Sequence, residues 1–297
     1  MSPVTIKTYR PFLKWAGGKH RLVPFIAEHI PPGNYQRLVE PFAGSAALSL
    51  ALEFEHYLIS DINTDLINLY QQLKREGKAF IDHAHSFFNS ANNEAQRYYQ
   101  LREEFNHSQD PITRAALFIY LNRHGFNGLC RYNRQGAFNV PFGRYKRPYF
   151  PRQEMLHFLQ KAPRMHFQVC HFEEVFAQTQ PQDLVYCDPP YVPLSETASF
   201  TAYSKESFGH QQQAHLAQLA RQAQLRDVTT VISNHDVTLT RQLYQQAKLC
   251  YTRVQRTIAA KGARRESVPE LLAVYNPKEK QAQATIMPAA TRSQPLS

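Results

Sequence analysis

Short apolar runs recur along the chain and are separated by longer stretches with helical spacing. Each run is bounded by polar or turn-forming residues, which is typical of a buried strand. The predicted strands are Arg37–Glu40, Tyr57–Ser60, His166–Cys170, Leu184–Cys187, Val228–Ser233, Leu249–Val254 and Leu271–Tyr275. Several buried strands of this kind predict a sheet at the centre of the fold.

Helical patterns lie between several of these strands. Ser45–Leu52 follows the first strand, and Lys205–Arg226 places Leu216, Leu219 and Ala223 on one face. Strands that alternate with helices pair in parallel, because each helix carries the chain back across the sheet. The pattern therefore predicts an α/β fold with a mostly parallel sheet.

The alternation stops between residues 63 and 152. Here the sequence predicts the helices Thr64–Arg75, Asn93–Phe105 and Pro111–Arg123, followed by a loop-rich basic segment. We expect residues 63–152 to form an inserted subdomain, with residues 1–62 and 153–277 forming the sheet domain on either side of it. The tail, residues 278–297, has little periodicity and is expected to be disordered.

The charge of the chain favours a polyanionic partner. The net charge is +10 and the pI is about 9.4, and cations of a nucleic-acid-binding protein neutralise phosphates. Between residues 113 and 152 there is no Asp or Glu. The cations of this window are Arg114, Arg123, Arg131, Arg134, Arg144, Lys146, Arg147 and Arg152. Its aromatic residues are Phe118, Tyr120, Phe126, Tyr132, Phe138, Phe142, Tyr145, Tyr149 and Phe150.

Aromatic side chains can stack on bases or wedge between them. We therefore interpret this acid-free window as a nucleic-acid-binding segment. The alternative is a solvated basic face over an ordinary aromatic core.

Nothing in the sequence predicts a membrane span or a secretory signal. No apolar stretch approaches about 18 residues, and residues 1–10 are mixed and polar. We expect a cytoplasmic protein.

The cysteines Cys130, Cys170, Cys187 and Cys250 are widely spaced, which argues against a disulfide framework and against a zinc site. No metal is predicted.

A turn for a nucleoside-like ligand follows the first predicted strand. Gly44 stands between that strand and the helix after it, where a glycine lets the backbone approach a ligand and the helix offers free N–H groups. Asp61 ends the second strand, a position suited to hydrogen bonding with ribose hydroxyls. The alternative for Asp61 is a cap of the next helix.

The segment Phe12–Lys19 contains Gly17-Gly18-Lys19 but does not fit a phosphate-binding loop. That motif needs glycine at position 13, which is Leu13, and serine or threonine at position 20, which is His20. Trp15 could form an aromatic wall beside a ligand, or it could belong to a packed N-terminal arm.

The tetrapeptide Asp188-Pro189-Pro190-Tyr191 comes directly after a buried strand and carries the predicted chemistry. Two prolines fix the backbone and remove two N–H donors, so the carbonyls and the Asp188 carboxylate can only accept hydrogen bonds. Asp188 and the Pro189 carbonyl could hold both protons of an exocyclic amino group while the Tyr191 ring stacks on the base. The lone pair of the nitrogen is then free to attack an electrophile.

These motifs, taken together, resemble the Dam-type DNA adenine methyltransferases over nearly the whole chain except the tail. The matching segments are Phe12–Lys19, Glu40–Gly44, Asp61, Asn122–Asn133, Asn139–Arg147 and Asp188–Tyr191. The resemblance implies a Rossmann-like methyltransferase sheet with an inserted helical, loop-rich DNA-recognition subdomain. It also implies S-adenosylmethionine as methyl donor, S-adenosylhomocysteine as product, and N6 of a flipped adenine in GATC as acceptor.

The resemblance also assigns roles to individual residues. Those implied at the cofactor are Trp15, Lys19, Glu40, Phe42, Gly44, Asp61 and Asp188. Lys14 and Arg131 would read outer guanines, Leu129 and Pro141 would make apolar base contacts, and Arg144 would touch phosphate. The implied DNA-binding residues are Lys14, Phe126, Asn127, Leu129, Arg131, Asn133, Pro141 and Arg144.

The sequence departs from the family pattern at two positions. Phe126 stands where the family usually has a tyrosine that wedges into the duplex, so the apolar face is kept and any hydroxyl contact is lost. Ala46 stands where a second glycine is common, which bears on the geometry of the cofactor loop.

Other enzyme classes fit less well. A cytosine C5 methyltransferase needs a cysteine after proline, and a zinc deaminase needs H-x-E with P-C-x-x-C; neither pattern is present. An RNA guanine N2 methyltransferase shares the proline pair but would not explain the insertion. A catalytically silent DNA-binding protein would not need an intact Asp188–Tyr191. We expect a monomeric enzyme acting on double-stranded DNA by direct in-line transfer.

Overall fold

A seven-stranded sheet forms the centre of the computed structural model, which describes residues 5–7, 9–194, 208–255 and 267–277. Its strands are β1 (Arg37–Glu40), β2 (His56–Asp61), β3 (Met165–Val169), β4 (Asp183–Cys187), β5 (Thr229–His235), β6 (Lys248–Gln255) and β7 (Ser267–Tyr275). Their order across the sheet is β3-β2-β1-β4-β5-β7-β6. The first five are parallel, and β7 runs antiparallel to both of its neighbours.

Ten α-helices surround this sheet among the described residues. They are α1 (Val23–His29), α2 (Ala47–Ala51), α3 (Thr64–Glu76), α4 (Lys78–Ser86), α5 (Ala95–His107), α6 (Pro111–His124), α7 (Arg152–Lys161), α8 (Phe172–Ala177), α9 (His210–Leu225) and α10 (Thr238–Leu243). The α/β class and the predicted strands are confirmed, with ends that differ by a few residues.

Helices cover both faces of the sheet, because successive side chains of each strand point to opposite sides. Leu38 packs into one apolar cluster, whereas Val39 packs into the other. Leu184 and Val185 divide in the same way on β4. This two-sided burial explains why the strands read as continuous apolar runs rather than as alternating patterns.

Helix α3 joins the sheet to the helices α4 to α6. Gln71 and Lys74 of α3 donate hydrogen bonds to the Phe167 and Met165 carbonyls of β3, at 3.2 and 2.7 Å. The apolar cluster on this face continues from the sheet into α5 and α6. The division at residues 63 and 152 therefore stays a prediction. The tail, residues 278–297, lies outside the described residues.

Five helices were not predicted from the sequence: α1, α4, α7, α8 and α10. Each has ten residues or fewer, a length at which packing rather than local propensity decides helix formation. The helix predicted at Ser45–Leu52 is shorter, because Gly44 and Ala46 adopt left-handed backbone angles, with φ of 46° and 52°. The start predicted at Lys205 lies outside the described residues, and the helix is described from His210.

The aromatic residues of the basic window are not all available to bases, because three of the nine are buried and four are half-buried. Among the nine, only Phe126 and Tyr149 are exposed, at 47% and 56%. Phe118, Tyr120 and Phe138 are buried, because they fill the space between α5, α6 and the loop after α6.

Three of the window's eight cations also serve the fold. Arg114 pairs with Asp65 at 2.5 Å, Arg152 pairs with Asp82 at 2.7 Å, and Arg123 is buried. The five that are exposed are Arg131, Arg134, Arg144, Lys146 and Arg147. No helix in the described part of the chain is long and apolar enough to cross a membrane.

Candidate active site

One cavity of about 880 Å³ opens at the carboxyl ends of the parallel strands. Its lining comes from the residues after β1, β2 and β4 and from the N-terminal segment around Trp15. Ligands bind at this edge of open α/β sheets, where the strand order reverses. The cavity contains Asp61, Asp188 and Tyr191 together, so residues separated by over a hundred positions share one site.

The loop after β1 is built around Gly44. Its N–H donates to Asp61 Oδ2 at 3.0 Å, and its carbonyl accepts from the Tyr70 hydroxyl at 2.6 Å. A Cβ at Gly44 would lie 2.7 Å from Trp15 Nε1, so only glycine allows the indole to lie against this turn. Trp15 is therefore part of the cavity wall and not only of a packed N-terminal arm.

Asp61 is bound to the loop while it faces the cavity. Besides Gly44, the N–H of Asn63 donates to Asp61 Oδ1 at 3.0 Å. Burial raises the pKa of the Asp61 carboxyl, and backbone N–H groups oppose that rise. A carboxylate has about four lone-pair sites, so the Asp61 carboxylate can also accept from a hydroxyl donor in the cavity. Asn63, rather than Asp61, caps α3 through its side chain, which accepts from Leu66 N at 3.0 Å.

Glu40 borders the cavity but is bonded to α2. Its Oε2 accepts a 3.1 Å hydrogen bond from Ser49 N and another from the Ser49 hydroxyl. Burial raises the pKa of Glu40 to about 7. Its carboxyl group therefore holds the end of β1 to the helix behind the Gly44 loop.

Lys19 links the N-terminal segment to the tetrapeptide after β4. Its Nζ lies 3.1 Å from Asp188 Oδ1, donates to the Gly17 carbonyl at 2.7 Å, and lies 4.4 Å from the centre of the Tyr191 ring. Burial raises the pKa of the Asp188 carboxyl, and the Lys19 ammonium opposes that rise. The ammonium thus favours the ionised, hydrogen-bond-accepting form of Asp188.

The carbonyls of the two prolines differ in their surroundings. Gln213 Nε2 donates to the Pro190 carbonyl at 2.7 Å. In the part of the chain that the structure describes, no donor is bonded to the Pro189 carbonyl. The Pro189 carbonyl therefore remains an acceptor beside Asp188.

Several cavity residues were missed by the sequence analysis. Ile62 follows β2 and is 70% exposed, while Phe172 stacks with Phe42 at a centroid distance of 5.4 Å. Phe208 meets both rings edge-on, at 5.4 and 5.5 Å. The position of Phe172 just after β3 was the available signal, because the carboxyl ends of parallel strands share one edge.

A second group of missed residues surrounds Tyr191. The Tyr191 hydroxyl donates to Glu270 at 3.1 Å, and the His235 ring meets the Tyr191 ring edge-on at 4.8 Å. Glu270 comes from β7 and His235 from the end of β5. No motif pointed to either, since both reach the site through strand pairing. Among the described residues, no group of His, Cys, Asp and Glu could hold a metal ion.

Lys14 connects the N-terminal segment to the loop after α6. Asn122 holds both, accepting from Lys14 N at 2.9 Å and donating to the Lys14 and Gly128 carbonyls at 2.7 and 3.2 Å. Lys14 Nζ lies 4.3 Å from the centre of the Tyr145 ring. Burial and the nearby Arg123 lower the pKa of Lys14.

Phe126 projects from the same loop. Its N–H donates to the Pro141 carbonyl at 2.8 Å, and the next residue, Asn127, has a left-handed φ of 54° and donates to the Tyr145 hydroxyl at 2.9 Å. Phe126 is thus an exposed ring on a tightly held turn. Leu129, two residues after Asn127, lines the cavity, so this loop connects the exposed surface to the active site.

The remaining candidate DNA-binding residues are exposed, and they differ in how far hydrogen bonds constrain their side chains. Asn139 accepts from Arg131 Nε at 2.8 Å and, through its carbonyl, from Nη2 at 3.2 Å. The Asn133 side chain closes a turn by accepting from Gln135 N and Ala137 N, at 2.9 and 3.0 Å. Arg144 has a left-handed φ of 54° and is exposed.

The sheet order, the cavity at the carboxyl ends of the strands and the acceptor-lined tetrapeptide are those of a Rossmann-like methyltransferase. The family model for D12 class N6 adenine-specific DNA methyltransferases matches residues 15–258. The chain therefore belongs to that family and is an enzyme that methylates adenine N6 in DNA.

Curated relatives agree with this assignment. The DNA adenine methylase of Escherichia coli K12 is 50% identical over 92% of this chain and 97% of its own length. The DNA adenine methylases of Vibrio cholerae and Serratia marcescens are 49% and 48% identical, over 92% and 91% of this chain and 98% and 100% of their own lengths. Among solved structures, a precorrin 8w decarboxylase from Methanobacterium thermoautotrophicum aligns over 93% of this chain and 100% of its own, with a TM-score of 0.38 and 9% identity.

Proposed function

We propose that this enzyme transfers the methyl group of S-adenosylmethionine to N6 of adenine in GATC sites of double-stranded DNA. The observation that carries the proposal is the placement of Asp188, the Pro189 carbonyl and the Tyr191 ring in the same cavity as Gly44 and Asp61. One end of this cavity suits an amino group on a flat base, and the other suits a nucleoside.

The residues at the nucleoside end fit the methyl donor. Asp61 has free acceptor sites for ribose hydroxyls, and the Gly44 turn allows close backbone approach. Trp15, Phe42 and Phe172 supply ring surfaces for the apolar parts. When bound there, S-adenosylmethionine supplies an electrophilic methyl group. Lys19 acts through Asp188, and Glu40 supports the loop from behind.

The tetrapeptide prepares the amino group. Asp188 and the Pro189 carbonyl accept the two N6 protons, which draws the nitrogen away from conjugation with the ring and frees its lone pair. Tyr191 stacks on the base and fixes the plane of approach. The N–C bond forms as the S–C bond breaks, and the Asp188 carboxylate can accept the proton that N6 then loses.

The exposed loop would deliver the base. An adenine in a duplex must leave the stack before its N6 reaches the cavity, and the exposed Phe126 ring would fill the space left behind. Leu129 and Pro141 would contact bases, Arg131 and Lys14 would read guanines, and Arg144 would contact phosphate. Asn127 and Asn133 would support this surface at the duplex.

The names of the relatives, together with the resemblance, support GATC as the DNA sequence around the target adenine. They are named DNA adenine methylases, and the resemblance implied GATC. We expect the enzyme to act as a monomer in the cytoplasm, and light scattering of the free protein tests the monomer.

Transfer from radiolabelled S-adenosylmethionine tests the proposal. A duplex with one GATC site, the same duplex with the site scrambled, and an RNA of the same sequence are compared. Label in adenine N6 of the GATC duplex, with S-adenosylhomocysteine as product, is expected. Equal label in the scrambled duplex would exclude GATC specificity, and label in RNA alone would exclude DNA as substrate.

A further inference from the structure

The loop after β4 lacks the backbone donors that normally fix a turn. Pro189 and Pro190 have no N–H, so this part of the loop can be held only through its carbonyls. Three bonds hold Pro190 and Val192 in place. Gln213 donates to the Pro190 carbonyl at 2.7 Å, Asn234 Oδ1 accepts from Val192 N at 3.1 Å, and His235 Nδ1 lies 2.7 Å from the Val192 carbonyl.

The two amides behind the loop belong to a buried polar cluster. Gln213 of α9, Asn234 of β5 and Tyr244 after α10 are at most 1% exposed. Asn234 Nδ2 donates to Gln213 Oε1 at 3.0 Å and to the Tyr244 hydroxyl at 3.1 Å, and that hydroxyl lies 3.3 Å from Gln213 Oε1. Burying polar groups costs free energy unless they are paired.

The pairing leaves each amide with one orientation. Asn234 Oδ1 accepts from both Val192 N and His235 N, at 3.1 and 2.9 Å, so its Nδ2 must face Gln213. Gln213 Oε1 then accepts, and its Nε2 must donate to the Pro190 carbonyl. The direction of the Pro190 carbonyl is thus set by a chain of bonds that begins at the end of β5.

We propose that Gln213 and Asn234 are positioning residues for methyl transfer. Gln213 turns the Pro190 carbonyl towards α9, and Asn234 fixes Val192. Together they hold the loop backbone in the conformation in which Asp188 and the Pro189 carbonyl face the target amino group. The inference rests on the proposed role of those two acceptors. Errors of about 1 Å in such a geometry can lower a rate about 100-fold.

Gln213→Glu distinguishes a positioning role of Gln213 from a packing role, because glutamate has nearly the same size as glutamine but changes its hydrogen bonding when it ionises. The ionised carboxylate would face the Pro190 carbonyl with a lone pair, and two acceptors repel. The neutral acid can donate to that carbonyl and still accept from Asn234. A buried carboxyl has a raised pKa, so lowering the pH should restore the lost hydrogen bond.

The test measures kcat and the KM for a GATC duplex as a function of pH. For Gln213→Glu, kcat at about pH 8 should be about 10- to 100-fold below that of the wild type, with KM within about twofold. The ratio of its kcat to the wild-type kcat should rise as the pH falls to about 6. Gln213→Met should lose kcat with a ratio that does not change with pH.

Gln218→Glu is the matched control, because Gln218 lies on the exposed side of the same helix. Its ratio should stay near one. A wild-type kcat in both Gln213 variants, or a constant ratio in Gln213→Glu, would overturn the proposal. If neither Gln213 variant folds, Tyr244→Phe deletes one hydroxyl of the cluster and should lower kcat several-fold; an unchanged kcat there would overturn it too. Failure of the wild type to transfer methyl would instead count against the proposed function.

Discussion

The Lys19 ammonium lies 3.1 Å from the Asp188 carboxylate and is only 6% exposed. The pair joins a segment near the N-terminus to the end of β4, across more than half of the chain. An ammonium at this distance favours the charged form of a carboxyl, against a burial that raises the Asp188 pKa. The charge state of Asp188 therefore depends on Lys19.

Lys19→Met should move the acidic limb of the pH profile of kcat to higher pH. Without the ammonium, burial alone acts on Asp188 and raises its pKa further, so a higher pH is needed to ionise it. The variant should be nearly inactive in weakly acidic buffer and recover as the pH rises. An acidic limb that coincides with that of the wild type would show that Asp188 does not need Lys19 to stay ionised.

Trp15 is the only tryptophan of the chain and lies against Gly44 at the cavity. Its fluorescence should therefore change when S-adenosylhomocysteine binds. Gly44→Ala places a Cβ 2.7 Å from the indole nitrogen, which displaces the ring and should weaken that binding, measured by calorimetry. DNA affinity should be kept. If saturating S-adenosylhomocysteine left the fluorescence unchanged, Trp15 would not be part of the cofactor site.

Arg131→Ala should relax discrimination at one outer base pair by about 1–3 kcal/mol. Because Asn139 holds the guanidinium, Asn139→Ala should act in the same direction but less strongly. Arg144→Ala is the control and should weaken binding to all duplexes alike. Competition among duplexes that differ at single positions of the site measures both effects. A uniform loss in Arg131→Ala would make Arg131 a phosphate contact.

Glu40→Gln should change how stability depends on pH. The Glu40 pKa is about 7 in the folded protein against an ordinary value of 4.5. Between these values the folded protein holds a proton that the unfolded chain has lost, so this group's contribution to stability falls as the pH rises. The total loss is about 3 kcal/mol.

The glutamine variant lacks this titration. Urea unfolding of both proteins across the same pH range isolates the contribution of the Glu40 titration, because the two proteins share all other titratable groups. The stability of the wild type relative to the variant should fall as the pH rises from about 4.5 to about 7. A constant difference would mean that Glu40 ionises normally in the folded protein.

The strands and the chemistry-bearing turns were predictable from the sequence for a physical reason. Strands buried on both faces read as apolar runs, and parallel strands bring their carboxyl ends to one edge. Gly44, Asp61 and Asp188 each come at or just after the end of such a run, so their convergence could be expected before the structure was known.

The rest of the site comes from packing that no local pattern carries. Glu270 reaches Tyr191 because β7 pairs antiparallel with β5, and Gln213 reaches Pro190 from the first turns of an amphipathic helix. The basic window shows the same limit for single residues. Burial decides that Tyr120 and Phe138 are core residues while Phe126 is exposed, and composition alone does not distinguish them.

The central claim is that Asp188 accepts a proton of the target amino group, and single-turnover transfer by Asp188→Ala tests it most directly. The transfer rate on a GATC duplex should fall at least about 100-fold, while gel-shift affinity for the same duplex stays within about threefold of the wild type. Asp188→Asn, which keeps the shape but loses the charge, should be similarly impaired. Substantial turnover by either variant would contradict the account.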